Sequence, residues 1–231
     1  MRAALEAGLA RAGQTLTPEQ TDRLCEFGRL LLEKNQVMNL TAITEPEAVA
    51  QLHFLDSLTV LRTADCRGKS IVDVGCGAGF PGVPVAIAEP TAHVTLLDSL
   101  QKRMNWLREV LPGLGVEAQV VSARAEEYAA GHREQYDLAV SRAVARLNIL
   151  CELCLPLVKV GGQFLALKGA ATNQEVEEAA KAIAALGGKV ARIAEYPIAG
   201  AVHRIVVIDK VRPTPAQYPR KFAKIKQTPL K

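Results

Sequence analysis

Apolar positions along this chain change their period near residue 67, and the change divides it. Before that point the spacing is helical. Thr17-Pro18-Glu19-Gln20 supplies an N-cap, a proline for the first helical position and a glutamine at the third. Leu24, Phe27 and Leu31 follow at i, i+3 and i+7, the stripe that one face of an amphipathic helix requires. Pro46 opens a further helix on which Leu52, Leu55, Leu58 and Leu61 keep the same period. Residues 1–66 are therefore expected to be a helical region, ending in a turn-like joint over residues 65–69.

Beyond the joint, short apolar runs alternate with helical stretches. Strands are predicted near residues 70–75, 93–97, 117–121, 136–141 and 162–168. Such alternation calls for a mainly parallel sheet with right-handed crossovers. The last two β-rich runs, 189–196 and 202–209, are separated by only five residues, too few for a helical crossover. They are predicted to pair antiparallel at the sheet edge. Residues 67–210 thus read as an α/β domain, and residues 211–231 as a tail.

Composition narrows the setting. No run approaches the roughly 20 apolar residues of a membrane span, and residues 1–20 lack the apolar block of a signal peptide. A cytoplasmic, membrane-free protein is expected. The five cysteines are odd in number and mostly sit in apolar segments, which suits a reducing compartment. Cys151 and Cys154 form a C-x-x-C, but no second pair accompanies them, so they read as buried thiols and no metal is expected.

Net charge is only +4, yet its placement is uneven. Seven Lys/Arg and no acid lie from Lys210 to Lys231, leaving 21 bases against 24 acids elsewhere. Pro213, Pro215, Pro219 and Pro229 punctuate this tail, so a regular helix is not expected there. A basic strap of this kind can lie along a phosphate backbone, and Tyr218 and Phe222 can stack on unpaired bases. Arg220 and Lys221 are its candidate nucleic-acid contacts.

The most specific signal is Asp73-Val-Gly75-Cys-Gly77-Ala-Gly79-Phe80, at the exit of the first strand. A dinucleotide-binding G-x-G-x-x-G loop needs a small residue at its third fixed position, which here is Phe80. A nicotinamide dehydrogenase is disfavoured on that ground. The D-x-G-x-G-x-G pattern instead resembles the first motif of S-adenosylmethionine (SAM)-dependent methyltransferases, with Gly75, Gly77 and Gly79 leaving bare backbone for the cofactor. Asp98 ends the second strand, where a carboxylate in such sheets accepts from a ribose diol. A parallel sheet closed by an antiparallel hairpin is also what a class I SAM-dependent methyltransferase fold looks like.

Asn39-Leu40-Thr41, His53–Leu58, the glycine loop, Leu97-Asp98-Ser99, Ser141-Arg142-Ala143, Leu167-Lys168-Gly169 and His203-Arg204 occur in one order across nearly the whole chain. Together they resemble the bacterial 16S rRNA guanine-N7 methyltransferases, the glucose-inhibited division protein B family. The resemblance implies methyl transfer from SAM to N7 of the guanine at position 527 of 16S rRNA. It also implies cofactor contacts from Gly75, Phe80, Asp98, Ser99, Ala125, Glu126 and Arg142. The tail keeps Tyr218-Pro219-Arg220-Lys221 and Pro229-Leu230 but departs from the family at Ala223 and Ile225.

Guanine N7 carries a lone pair and no proton, so its attack on a methyl group needs no general base. Catalysis by positioning is expected, with Arg142 at the end of the fourth strand touching cofactor, phosphate or guanine O6. A bidentate clamp on O6 and N7 would block the reacting lone pair. Asn39 is expected either to cap or orient a loop near the target base or to make an Asx-turn, and Lys168, His203 and Arg204 are candidate phosphate contacts. His53, Asp56 and Ser57 share a helical face but lack the setting of a hydrolase triad, and are expected to hydrogen-bond to the cofactor domain. The partner is expected to be 16S rRNA or the small ribosomal subunit, met by a monomer. Two alternatives stay open: a methyltransferase for a small molecule or protein, and a non-catalytic RNA-binding assembly factor.

Overall fold

Thr17 begins the second helix as its sequence predicts. Its Oγ1 accepts from the Gln20 amide at 3.2 Å while Gln20 Oε1 accepts from the Thr17 amide at 2.9 Å. The computed structural model describes residues 1–230; Lys231, counted above among the tail bases, lies outside the described residues. Helix α1 is Arg2–Ala12 and α2 is Pro18–Asn35. The segment opened by Pro46 is not one uniform helix. It comprises α3, Pro46–Ala48, a π-helical stretch over Val49–Leu55, and α4, Asp56–Thr63. Leucines three apart do not reveal the wider turn, and such π segments tend to mark functional sites.

The sheet follows the alternation in the sequence. Its strands are β1 (Ser70–Val74), β2 (His93–Asp98), β3 (Ala118–Ser122), β4 (Tyr136–Arg142), β5 (Val158–Lys168), β6 (Gly188–Ile198) and β7 (Ala201–Lys210). Their order is β3-β2-β1-β4-β5-β7-β6. The first five are parallel, and β7 is antiparallel to both β5 and β6. Ala199 and Gly200 turn the β6–β7 hairpin with φ of 51° and 78°, the left-handed pair that matches strand twist. The connecting helices are α5 (Gly82–Ala88), α6 (Gln101–Val110), α7 (Ala125–Tyr128), α8 (Leu147–Cys154) and α9 (Thr172–Ala185).

Two apolar layers sandwich the sheet. On one face Leu24, Phe27 and Leu31 of α2 pack with Val83 of α5 and Met104 of α6, so the N-terminal helices share a core with the α/β unit. Phe27 is the hub, its ring 5.6 Å from Phe80 and 5.9 Å from Trp106. On the other face lie α8, α9 and the tail, with Cys151 and Cys154 fully buried among apolar groups. Among the described residues no helix is long and apolar enough to cross a membrane.

The tail is clasped rather than loose. Buried Lys210 donates to the Leu155 and Val158 carbonyls at 2.6 and 2.9 Å and pairs with Glu134 at 3.0 Å. Arg133 donates to the carbonyls of Thr214, Pro215 and Tyr218. Contrary to the sequence expectation, the tail contains a helix, α10, over Phe222–Gln227. Six residues fit between Pro219 and Pro229, and fully buried Ile225 supplies the packing that so short a helix needs.

Candidate active site

The carboxyl ends of β1, β2, β3 and β4 open onto a cleft of about 390 Å³, lined by Gly75, Gly77, Phe80, Asp98, Ala125 and Arg142 among others. The volume suits a small-molecule site. Gly75, Gly77 and Gly79 all adopt positive φ, of 74°, 57° and 96°. A Cβ on Gly79 would lie 2.6 Å from Val83 and 3.1 Å from Leu107, so that glycine is needed for packing. A Cβ on Gly77 would meet nothing closer than Arg103 at 3.6 Å, so its bare backbone borders open cleft.

The loop is tied to both neighbouring strands. Gly75 and Cys76 amides donate to the Leu97 carbonyl at 2.8 and 3.2 Å. The Gly77 amide donates to Asp98 Oδ2 at 3.0 Å, while Asp98 Oδ1 accepts from Leu100 at 2.8 Å. Each oxygen of Asp98 thus accepts one of these bonds and keeps further acceptor capacity on the cleft wall. Asp73, fully buried, accepts from the Gly82 amide at the start of α5 through Oδ2 at 2.7 Å. Its Oδ1 has no partner, and burial pushes the carboxyl up to about 7.

At the β4 end, three elements converge on Arg142. Its guanidinium donates to Asp56 Oδ2 and the Leu52 carbonyl, each at 2.9 Å, and meets His53 Nδ1 at 2.8 Å. His53 Nε2 lies 2.8 Å from Thr41 Oγ1. The His53 ring stacks on Phe80 at 4.4 Å, with the Arg142 guanidinium 5.1 Å from the same ring. Asp56 Oδ1 binds His203 Nδ1 at 2.7 Å. Burial and the nearby Arg142 charge push His53 down to about 4, so it is neutral at physiological pH. Burial alone would raise Asp56, but His203 and Arg142 outweigh it and hold that carboxyl below its usual range. The expected helix-to-domain hydrogen bonds of His53 and Asp56 are thus present; the Ser57 hydroxyl is instead spent on the His53 carbonyl at 2.6 Å.

Beyond Arg142, Ala143 takes a left-handed φ of 56°, which carries exposed Val144 over Gly75. This strained corner forms the rim between the cleft and a neighbouring groove bordered by His203, Lys168 and Arg146.

Ser99 and Glu126 lie on the cleft wall with Asp98 and Ala125. Of the six residues expected to meet RNA, Lys168, His203 and Arg204 come together on the paired strands β5 and β7, while Asn39, Arg220 and Lys221 lie elsewhere. Lys168 Nζ is already held by Glu175 and the Ala145 carbonyl, at 2.8 and 2.7 Å. Arg204 pairs with Glu195 at 2.7 Å. Arg220 is bound by both oxygens of buried Glu152, at 2.7 and 2.6 Å. His203 is turned toward Asp56. Asn39 and Lys221 are exposed, and the Asn39 carbonyl accepts from Arg103 at 3.3 Å. Sequence reasoning assigned no role at this site to Thr41, Arg103 or Val144, although Thr41 belongs to the Asn39-Leu40-Thr41 motif and Arg103 follows Leu97-Asp98-Ser99 by four residues. Phe222 was noted only as a tail aromatic, yet it lines the cleft. Among the described residues, no group of three His, Cys, Asp or Glu side chains is arranged to hold a metal ion.

Solved structures with this fold include TrmN from Thermus thermophilus, with a TM-score of 0.54 at 21% identity over 68% of this chain and 48% of that one. A 16S rRNA (adenine(1408)-N(1))-methyltransferase from Catenulisporales acidiphilia gives 0.53 at 17% identity, over 69% of this chain and 93% of that one. Sequence relatives are much nearer. The ribosomal RNA small subunit methyltransferase G of Alkaliphilus metalliredigens is 45% identical, with 98% of each chain covered. That of Acetivibrio thermocellus is 44% identical, covering 100% of this chain and 97% of its own. A family model described as rRNA small subunit methyltransferase G matches residues 20–200. The chain belongs to the GidB family of rRNA small subunit methyltransferases.

Proposed function

We propose that this protein uses SAM to methylate N7 of a guanine in 16S rRNA, the one at position 527 by family resemblance, acting as a cytoplasmic monomer. The observation that carries the reading is the cleft itself: a positive-φ glycine loop and Asp98 on its wall, and on the β4 side Arg142, held by buried Asp56 from the neighbouring groove. When bound, SAM supplies an electrophilic methyl group on a sulfonium. Gly77 leaves its backbone open for the cofactor and Asp98 retains acceptors for its ribose. The chain's own chemistry at the other end is consistent with a substrate atom that has no proton to lose. His53 is neutral and engaged on both ring nitrogens, so it is not poised as a base.

Positive charge passes from sulfonium to guanine during the transfer, so the site must hold a cation without adding repulsion. Asp56 offsets Arg142 and keeps its guanidinium pinned away from a chelating position. Arg142 then orients the reacting end by contact with cofactor, phosphate or guanine O6 alone. Methyl transfer from labelled SAM to small subunits lacking the modification, with N7-methylguanine mapped by strand cleavage, tests this. A single cleavage at the expected guanine supports it; SAM binding with no rRNA labelling overturns the substrate assignment.

A further inference from the structure

The cleft has a wall that comes from the far end of the sequence. Phe222, the first residue of α10, lines the same cavity as Gly75 and Asp98, although α10 packs on α8. Its neighbours along the wall are Ala123, Arg124 and Ala125, which follow β3, with Leu153 of α8. The Arg124 guanidinium sits 5.2 Å from the centre of the Phe222 ring.

The order of the strands says which part of the cofactor this wall would meet. The glycine loop after β1 takes the end of the molecule nearest β4, and Asp98 after β2 takes the ribose. Continuing outward in the order β4-β1-β2-β3 leaves the base at the end of β3, where Ala123–Ala125 and Phe222 stand. An aromatic ring is well suited to a purine's π-face.

We propose that Phe222, backed by Arg124, is a cofactor-binding residue that closes the adenine end of the cleft, and that α10 is its lid. The inference rests on the SAM reading given above. The same short helix buries Ile225 and, with its N-cap Lys221, holds Lys221, Lys224 and Lys226 exposed, none with an acidic partner among the described residues. A polyanion settling on these lysines presses the lid down, so α10 couples RNA engagement to cofactor retention.

The test is calorimetric titration of the full-length protein with S-adenosylhomocysteine and with adenosine. Phe222→Ala should weaken both by the same factor, about tenfold or more, because the lost contact is to the base alone. Phe222→Trp should restore affinity. Phe222→Leu, which keeps the apolar anchor and loses the ring, should weaken both ligands without lowering the melting temperature. A short single-stranded RNA should slow S-adenosylhomocysteine release from wild type and not from a Lys221, Lys224, Lys226 triple alanine variant. Unchanged affinity in Phe222→Ala and Phe222→Leu overturns the lid assignment. Wild-type protein that binds neither ligand instead overturns the cofactor reading on which it stands.

Discussion

Asp56 and Arg142 lie 86 positions apart and meet in a largely buried ion pair at 2.9 Å, joining the helical region to the last residue of β4. Removing one partner of such a pair leaves an uncompensated buried charge, which typically costs about 3–5 kcal/mol. Asp56→Ala is therefore expected to destabilise the fold on that scale in urea titrations. Arg142→Lys keeps the charge but cannot span Asp56, Leu52 and His53 together. Its turnover should fall by about tenfold or more, with a much smaller change in SAM affinity. Wild-type turnover in Arg142→Lys would remove the positioning role.

His53 should leave a pH signature. Its folded value of about 4 lies below the ordinary 6.5, so the unfolded chain takes up the proton first as pH falls. Wild type should then lose stability relative to His53→Asn, by about 2 kcal/mol between roughly pH 7.5 and roughly pH 5. Asp73 acts in the opposite sense. Its raised folded value favours the native state at low pH, and that advantage is lost as pH rises through about 7. The wild-type curve alone therefore mixes the two; the difference curve against His53→Asn isolates the histidine. A flat difference would mean that His53 titrates alike in the folded and the unfolded chain.

The glycines of the loop should separate into two kinds. Gly79→Ala combines a φ of 96° with a Cβ 2.6 Å from Val83, and should cost roughly 2 kcal/mol or more. Gly77→Ala meets no close atom, so its cost is the backbone term of about 1 kcal/mol. Its methyl group would stand where the cofactor must approach, so binding should suffer more than stability. Thermal melts paired with SAM titrations distinguish the two, and a Gly77→Ala variant with native affinity would argue against the cradle.

Charge in the tail should divide in the same way. Arg220→Ala strips buried Glu152 of its partner and should destabilise by about 3 kcal/mol with only modest effect on the salt slope of RNA binding. Lys221, Lys224 and Lys226 are exposed, so replacing all three with serine should leave the melting temperature near wild type. If all three touch phosphate, the slope of log affinity against log salt should shrink by about 2. An identical slope would take α10 out of the RNA interface.

What the sequence made legible was local. The β1 strand, its glycine turn and Asp98 lie within 29 residues, and their chemistry is written in residue type and spacing. The β6–β7 hairpin was readable because five residues cannot make a crossover. What stayed hidden was pairing across the chain. Arg220 reads as a free cation of the tail because Glu152 lies 68 positions away, and Lys168 as one at a strand end because spacing does not show that α9 folds Glu175 back onto it. The convergence of Asp56, Arg142 and His203 depends on strand order, which brings β7 beside β5 and α4 over the sheet. The π-helical turn around His53 escaped because a three-residue leucine period is compatible with either winding.

Phe222 shares a cavity with residues that precede it by up to 182 positions, from Leu40 onward. Synthesis runs in one direction, so every other wall of that cavity is made before this one. A nascent chain could fold its sheet and glycine loop and still lack a finished pocket until α10 had emerged. Full competence would then arrive late, and a chain terminated before residue 222 should carry an intact nucleotide motif with a weakened hold on its ligand.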